Sequence, residues 1–323
     1  MPRLKLSILS DIHYAGAAER ARGNFSLNAI SNPARRLTVK LYRHFIWQRD
    51  AFAHNHLLDQ FVNQAGAPDY VIANGDYSCD SAFVGVSDSA AYESAAECLA
   101  KLQGQFSTRF LATFGDHEIG KKPLGEDIGG GRLASYYRAR KDLGLQPFWE
   151  LAIGNYVIFG VVSTLLALPI YEPEMLPDEQ AEWQELRSEH LAEIGRAFSA
   201  LKPSQRVLLF CHDPTALPFL WREAAVREKL PQIERTIIGH LHSKLVFFKS
   251  RMLAGMPIIN FLGHTPKRLS SALREARFWK PFKVLLCPSL SGIELLKDGG
   301  FYTAELDLEA RQPAAFRFHR LKR

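Results

Sequence analysis

Five apolar runs in this chain each stop at a residue able to hold a metal ion, and that recurrence narrows the choice of fold more than any other feature. Residues 4–10, LKLSILS, run into Asp11 and His13. Residues 69–74, DYVIAN, end at Gly75-Asp76, and residues 110–114, FLATF, end at Gly115-Asp116-His117-Glu118. Residues 206–210, RVLLF, end at Cys211-His212, and residues 235–238, RTII, end at Gly239-His240-Leu241-His242. Short apolar runs bounded by turn residues read as buried strands. In open α/β sheets, sites gather at the carboxyl ends of strands. Five ends side by side would bring Asp11, His13, Asp76, Asp116, His212, His240 and His242 into one cleft. Residues i and i+2 of extended chain project to the same side, so Asp11/His13 and His240/His242 can each grip one ion. The glycines before Asp76, Asp116 and His240 suit backbone that turns tightly or approaches an ion closely.

Three carboxylates and four imidazoles form this set, with His117 left over. Oxygen and nitrogen donors without thiolate suit manganese, iron, zinc or cobalt, and manganese is the metal we expect. So many ligands exceed the needs of one ion. They fit two ions roughly 3.5–4 Å apart that share a bridging carboxylate, an arrangement that acidifies a bridging water and clamps an in-line displacement at phosphorus. The other histidines lack such placement. His54, His56 and His190 fall on helical sequence, His319 lies near the tail, His44 sits in an insertion, and His264 reads as a turn residue.

The rest of the chain frames these motifs. With 323 residues, 47% hydrophobic and 23% charged, it can bury a large core. No repeat, low-complexity tract or linker divides it, so we expect one domain over 1–323, with insertions at about 14–49 and 264–283. Helices are expected from the fifties to Gln64, from a cap at Ser87-Asp88 to about Gln103, up to Leu143, and onward from Pro177-Asp178. Residues 148–153 and 156–162 read as a hairpin, 125–131 as a loop, and 244–320 as mostly strand interrupted by a basic aromatic stretch. The four cysteines form no C-x-x-C pair and suggest reduced thiols and a cytoplasmic protein. No run reaches the length of a membrane-spanning helix.

In this order the motifs DIH (11–13), GD (75–76), GDHE (115–118), CH (211–212) and GHLH (239–242) resemble those of the calcineurin-like metallophosphoesterase superfamily. The resemblance covers about residues 4 to 250. It implies a four-layer α/β/β/α sandwich of two mixed β-sheets with the metals at its edge. It also implies Asp11, His13 and His242 on one ion, Asp116, His212 and His240 on the other, and Asp76 bridging. The implied reaction is hydrolysis of a phosphodiester or pyrophosphate by a hydroxide bridging the two ions. His117 then stands beside the phosphate as acid or charge stabiliser, and Glu118 orients its imidazole. Asp80 and Asp213 are plausible supports for the ligands.

The family has Asn where this chain has Asp116. A third carboxylate lowers the charge of the cluster by one, so we expect tighter binding of hard ions, a weaker pull on an anionic phosphate and a less acidified water. Two insertions mix cations with aromatics: 35–49 and 267–283. Such segments suit an anionic lipid surface or a nucleotide, and equally two cap helices with solvated basic faces. A branch of the family that cleaves UDP-diacylglucosamine, a lipid-linked nucleotide, fits basic apolar caps. The expected substrate is therefore nucleotide-like or lipid-linked, with peripheral contact to anionic membrane lipid at the inner face and nucleic acid less favoured. The alternatives are a cyclic-nucleotide phosphodiesterase or phosphomonoesterase, and a non-catalytic scaffold on the same fold.

Overall fold

The computed structural model describes residues 3–23, 25–79, 83–122, 128–261 and 264–323. Asp80 and residues 125–127 of the 125–131 loop lie outside them. Among the described residues ten strands form two five-stranded sheets. The first contains β1 (Arg3–Leu9), β2 (Tyr70–Ala73), β3 (Phe110–Ala112), β9 (Gly300–Asp307) and β10 (Ala315–Arg320), in the order β10-β9-β1-β2-β3. The second contains β4 (Phe148–Ile153), β5 (Tyr156–Val161), β6 (Arg206–Cys211), β7 (Ile233–Ile238) and β8 (Val284–Leu286), in sequence order. Both sheets are mixed. β1, β2 and β3 are parallel and so are β5 to β8, while β9, β10 and β4 join antiparallel.

Alternation along the strands explains the layering. In β6, Leu208 and Phe210 enter a cluster with Leu6, Ile8 and Ile72, which seals the two sheets face to face. Their neighbours Val207, Leu209 and Cys211 point the other way, onto Ile194, Phe198 and Leu217 of the helices Gln180–Ser199 and Leu217–Arg222. On the outer side of the first sheet, Leu9, Val71 and Ala73 pack with Phe61, Ala95, Cys98 and Leu102, from the helices His56–Gln64 and Ser89–Phe106. A period of two with both faces apolar requires cover on both faces, and four layers follow.

Most of the expected elements stand. The hairpin pairs Ile153 with Tyr156, and Asp88 caps its helix by accepting from the Ala91 amide. The four cysteines are free and buried. The stretch after 244 departs from expectation. It opens with the helix Lys244–Met252, continues with His264–Glu275 and the 3₁₀ turns Ala276–Phe282, and becomes strand only at β8. Ser243 explains the first of these, since its hydroxyl accepts from the Leu245 amide and starts a helix in sequence that reads as strand. Among the described residues no helix is long and apolar enough to cross a membrane.

Candidate metal centre

Parallel register places the ends of β1, β2 and β3 together, with Leu9 opposite Ala73 and Ala73 opposite Ala112. The loops beyond them are stitched by backbone: the Asp11 amide donates to Gly75 O and the His13 amide to Asp76 O. In the second sheet the Gly239 amide donates to His212 O, which locks the ends of β6 and β7. The chain must turn at once after each strand. Asp11, His13, Asp76, His240 and His242 accordingly all adopt positive φ, between 49° and 60°. That conformation is uncommon for residues other than glycine and accumulates at functional sites. Gly75 is needed for another reason. At φ 87°, a Cβ there would meet Gly115 N at 2.5 Å and His212 Nδ1 at 2.9 Å.

The seven predicted ligand residues come together. Asp11, His13, Asp76 and His242 offer one set of donor atoms within 4.8 Å of one another, and Asp116, His212 and His240 offer a second. Asp76 lies between them: its Oδ2 is 3.2 Å from His212 Nε2 and 4.0 Å from His13 Nε2. Asp116 Oδ1 sits 3.1 Å from both His212 Nε2 and His240 Nδ1. His242 Nε2 is 3.2 Å from Asp11 Oδ1 and 3.2 Å from His13 Nε2. Two of the rings are aimed by backbone carbonyls. His13 Nδ1 donates to Ser78 O (3.2 Å) and His212 Nδ1 to Asn74 O (2.5 Å), so Nε2 faces the cluster in each.

The residues fit a cationic occupant. Asp76 Oδ2 is buried and accepts no hydrogen bond, a costly state that a cation relieves. Burial pushes Asp11 up to about 6, with His212 opposing and Asp76 adding to the rise. Burial also works against a charged His212, yet Asp76 and Asp11 raise it well above the ordinary imidazole range. The two carboxylates thus favour positive charge at the position of His212, as a bound cation would supply. Oxygen and imidazole donors without a thiolate suit first-row divalent metals.

His117 and Glu118 occupy the first turn after β3. The His117 amide donates to Asp76 Oδ1 (3.0 Å), and its Nδ1 donates to Cys79 O (2.9 Å). Its Nε2 is therefore aimed at the cluster, 3.9 Å from Asp76 Oδ2. Glu118 does not have its expected task of orienting the imidazole. Its Oε2 accepts from the Gly115 and Asp76 amides (2.8 and 3.0 Å) and its Oε1 from the Tyr77 amide (2.8 Å). The carboxylate thus binds the β2 loop to the β3 loop. Burial and the Asp76 charge push it up to about 7 against those three bonds. Asp213 caps the turn after β6 through the Thr215 amide (2.8 Å) and accepts from the Tyr171 hydroxyl.

Sequence reasoning missed three neighbours. Ser10 Oγ donates to Asp11 Oδ2 at 2.6 Å. The Trp47 ring, from the first insertion, lies 4.6 Å from the His242 ring. Lys121 Nζ lies 2.6 Å from Asp116 Oδ2. This last contact changes the charge argument: the extra carboxylate at 116 is answered by a cation five residues on, so the expected weaker pull on phosphate does not follow. One Asp116 oxygen faces the imidazoles and the other faces the ammonium, leaving a neutral pair that presents one oxygen as an asparagine would. Its trace in the sequence is only a lysine five residues behind a carboxylate, a spacing that does not by itself say the two meet.

The family model for calcineurin-like phosphoesterases matches residues 4–244, well over half of the chain. The chain belongs to the calcineurin-like phosphoesterase family. It is thus a metallophosphoesterase domain of a metal-dependent family, with Asp/His clusters that could bind metal ions. Solved structures similar to it include GAP50, the anchor in the inner membrane complex of Plasmodium. The identity is 12%, 98% of this chain and 84% of that one are covered, and the TM-score is 0.46. Phosphopantetheinyl hydrolase of Mycobacterium tuberculosis is 15% identical over 74% of this chain and 83% of its own, with a TM-score of 0.36. The purple acid phosphatase of yellow lupin seeds is 12% identical over 75% of this chain and 38% of its own, with a TM-score of 0.36. No curated protein matches the sequence.

Proposed function

We propose that this chain hydrolyses a phosphodiester or pyrophosphate bond at two metal ions. One is held by Asp11, His13 and His242, the other by Asp116, His212 and His240, and Asp76 is shared. The observation that carries this reading is the convergence of two donor sets on Asp76, whose Oδ2 lies buried between them without a hydrogen bond. Two divalent ions there would supply Lewis acidity toward a phosphoryl oxygen and lower the pKa of a water. The chain's own residues do the rest. The carbonyls of Ser78 and Asn74 hold the rings of His13 and His212 in one tautomer. Glu118 fixes the two loops that carry Asp76 and Asp116. The Cys79 carbonyl holds His117 Nδ1–H, so protons enter and leave that ring at Nε2, the atom facing the cluster. We assign to it delivery of a proton to the departing oxygen as the P–O bond breaks.

The basic, aromatic-bearing helix Pro33–Phe45, joined to the cluster through Trp47, favours a nucleotide-like or lipid-linked ester over a simple phosphomonoester. Elemental analysis together with hydrolysis of bis-p-nitrophenyl phosphate tests the assignment. The expected result is metal at two ions per chain and turnover that chelation abolishes. A folded, metal-loaded protein inert toward diesters, pyrophosphates and monoesters would refute the enzymatic reading in favour of a scaffold.

A further inference from the structure

The helix Pro33–Phe45 buries none of its residues. Asn32 caps it through the Ala34 and Arg35 amides, and Pro33 stands at its first position, so the sequence specifies the helix even where the core does not. Its circumference separates two chemistries. Leu37, Leu41 and Phe45 recur every four residues and are 58%, 49% and 60% exposed. Lys40 and Arg36 lie on one flank, Arg36 with Nε and Nη2 donating to Ile30 O (2.8 and 2.6 Å) and its charge met by no acid of the helix, and Arg35 lies on the other. Val39 and Arg43, opposite the apolar stripe, are its half-buried positions and mark the side resting on the protein. From Pro33 to Arg49 there is no acidic residue.

The end of the helix is anchored beside the metal cluster. The Glu294 amide donates to Trp47 O (2.8 Å) and the Leu295 amide to Ile46 O (3.2 Å). These bonds set exposed Leu295 next to exposed Ile46, while the Trp47 ring lies against His242.

An apolar ridge flanked by cations, with no acid among them, matches one kind of surface: hydrocarbon below a layer of phosphates. A second copy of this chain seated here would have to bring acids to Lys40 and Arg36, and the ridge itself offers none. We propose that this face docks the protein on an anionic bilayer, with Leu37, Leu41 and Phe45 among the upper acyl chains and Arg36 and Lys40 at the phosphate level. The cleft then opens close to the headgroups. That consequence for substrate rests on the phosphoesterase reading, whereas the docking itself does not.

Flotation with phosphatidylcholine vesicles, with and without phosphatidylglycerol, tests the docking on metal-loaded and metal-stripped protein alike. Binding is expected only with phosphatidylglycerol, weakening by about tenfold or more when salt is raised toward 0.5 M, as expected for several screened cations. Leu41→Asp/Phe45→Asp and, separately, Arg36→Gln/Lys40→Gln should each abolish it. Both pairs are exposed, and an unchanged thermal melt confirms that the fold is kept. No binding at low salt, or binding untouched by Leu41→Asp/Phe45→Asp, overturns the proposal. So does a dimer in solution that this variant makes monomeric. Equal binding with and without metal keeps this result separate from the success or failure of the phosphoesterase assignment.

Discussion

Replacing Lys121 with methionine should tighten metal binding, and replacing Asp116 with asparagine should loosen it. Lys121 holds the outer oxygen of the carboxylate whose inner oxygen faces His212 and His240. A unit charge about 5 Å from a divalent ion is worth about 1.7 kcal/mol at the dielectric of water and about 7 kcal/mol at an effective value of about 20. Even the lower figure exceeds tenfold in affinity, since tenfold is about 1.4 kcal/mol. Lys121→Met removes a repelling cation and leaves the Asp116 charge whole. Asp116→Asn removes an attracting anion and keeps the repelling ammonium. The double variant restores a neutral pair and should return to within about threefold of the parent, because the two charge changes are opposite in sign and cancel. Competition of Mn²⁺ between the protein and a chelator reads the three affinities, and a melting curve in each case controls for folding. Both single variants moving affinity the same way, or a double variant that stays as far from the parent as either single, would refute the compensation.

Three further outcomes follow from the geometry. His117→Gln should lower turnover by about a hundredfold or more while metal content stays the same; loss of metal instead would make His117 a ligand. Glu118→Gln should cost about 2–4 kcal/mol of stability in urea unfolding, because an amide can no longer accept from all three backbone donors. Unchanged stability with a displaced pH–rate profile would return Glu118 to service on the imidazole. His190 is buried, its Nε2 accepts from the Val162 amide, and burial lowers it to about 3. The unfolded chain protonates near 6.5, so the unfolded state binds more protons between those values. Stability is then full above about pH 6.5 and falls on acidification by up to about 1.4 kcal/mol per pH unit. His190→Leu should flatten that slope in denaturant titrations from pH 7 to 5, and an unaltered slope would place the acid sensitivity elsewhere.

The seven candidate ligand residues were readable because each follows a buried strand, where apolar sequence makes an interruption conspicuous. Asp76 after DYVIAN and His212 after RVLLFC stand out as polar residues where burial is otherwise complete. Local pattern gave no access to the partners. Glu118 looked like a helper for its neighbour, but side-chain direction in the short helix Asp116–Ile119 sends it back to three amides, two of them on another loop. The helix Lys244–Met252 read as strand because KLVFF is a short apolar run, which carries no period of its own; the Ser243 cap decided it. Lys121 was passed over because charge compensation across a turn depends on where the chain goes next.

The left-handed backbone at Asp11, His13, Asp76, His240 and His242 affects how the site can be dissected. Alanine scanning there removes a donor atom and also exchanges Asp or His, which enter this conformation more readily than most side chains, for a residue that enters it less readily. Loss of metal in such variants would mix two causes. Asparagine tolerates this geometry, and glycine adopts it freely, so the pair brackets the backbone contribution and leaves ligation as the difference.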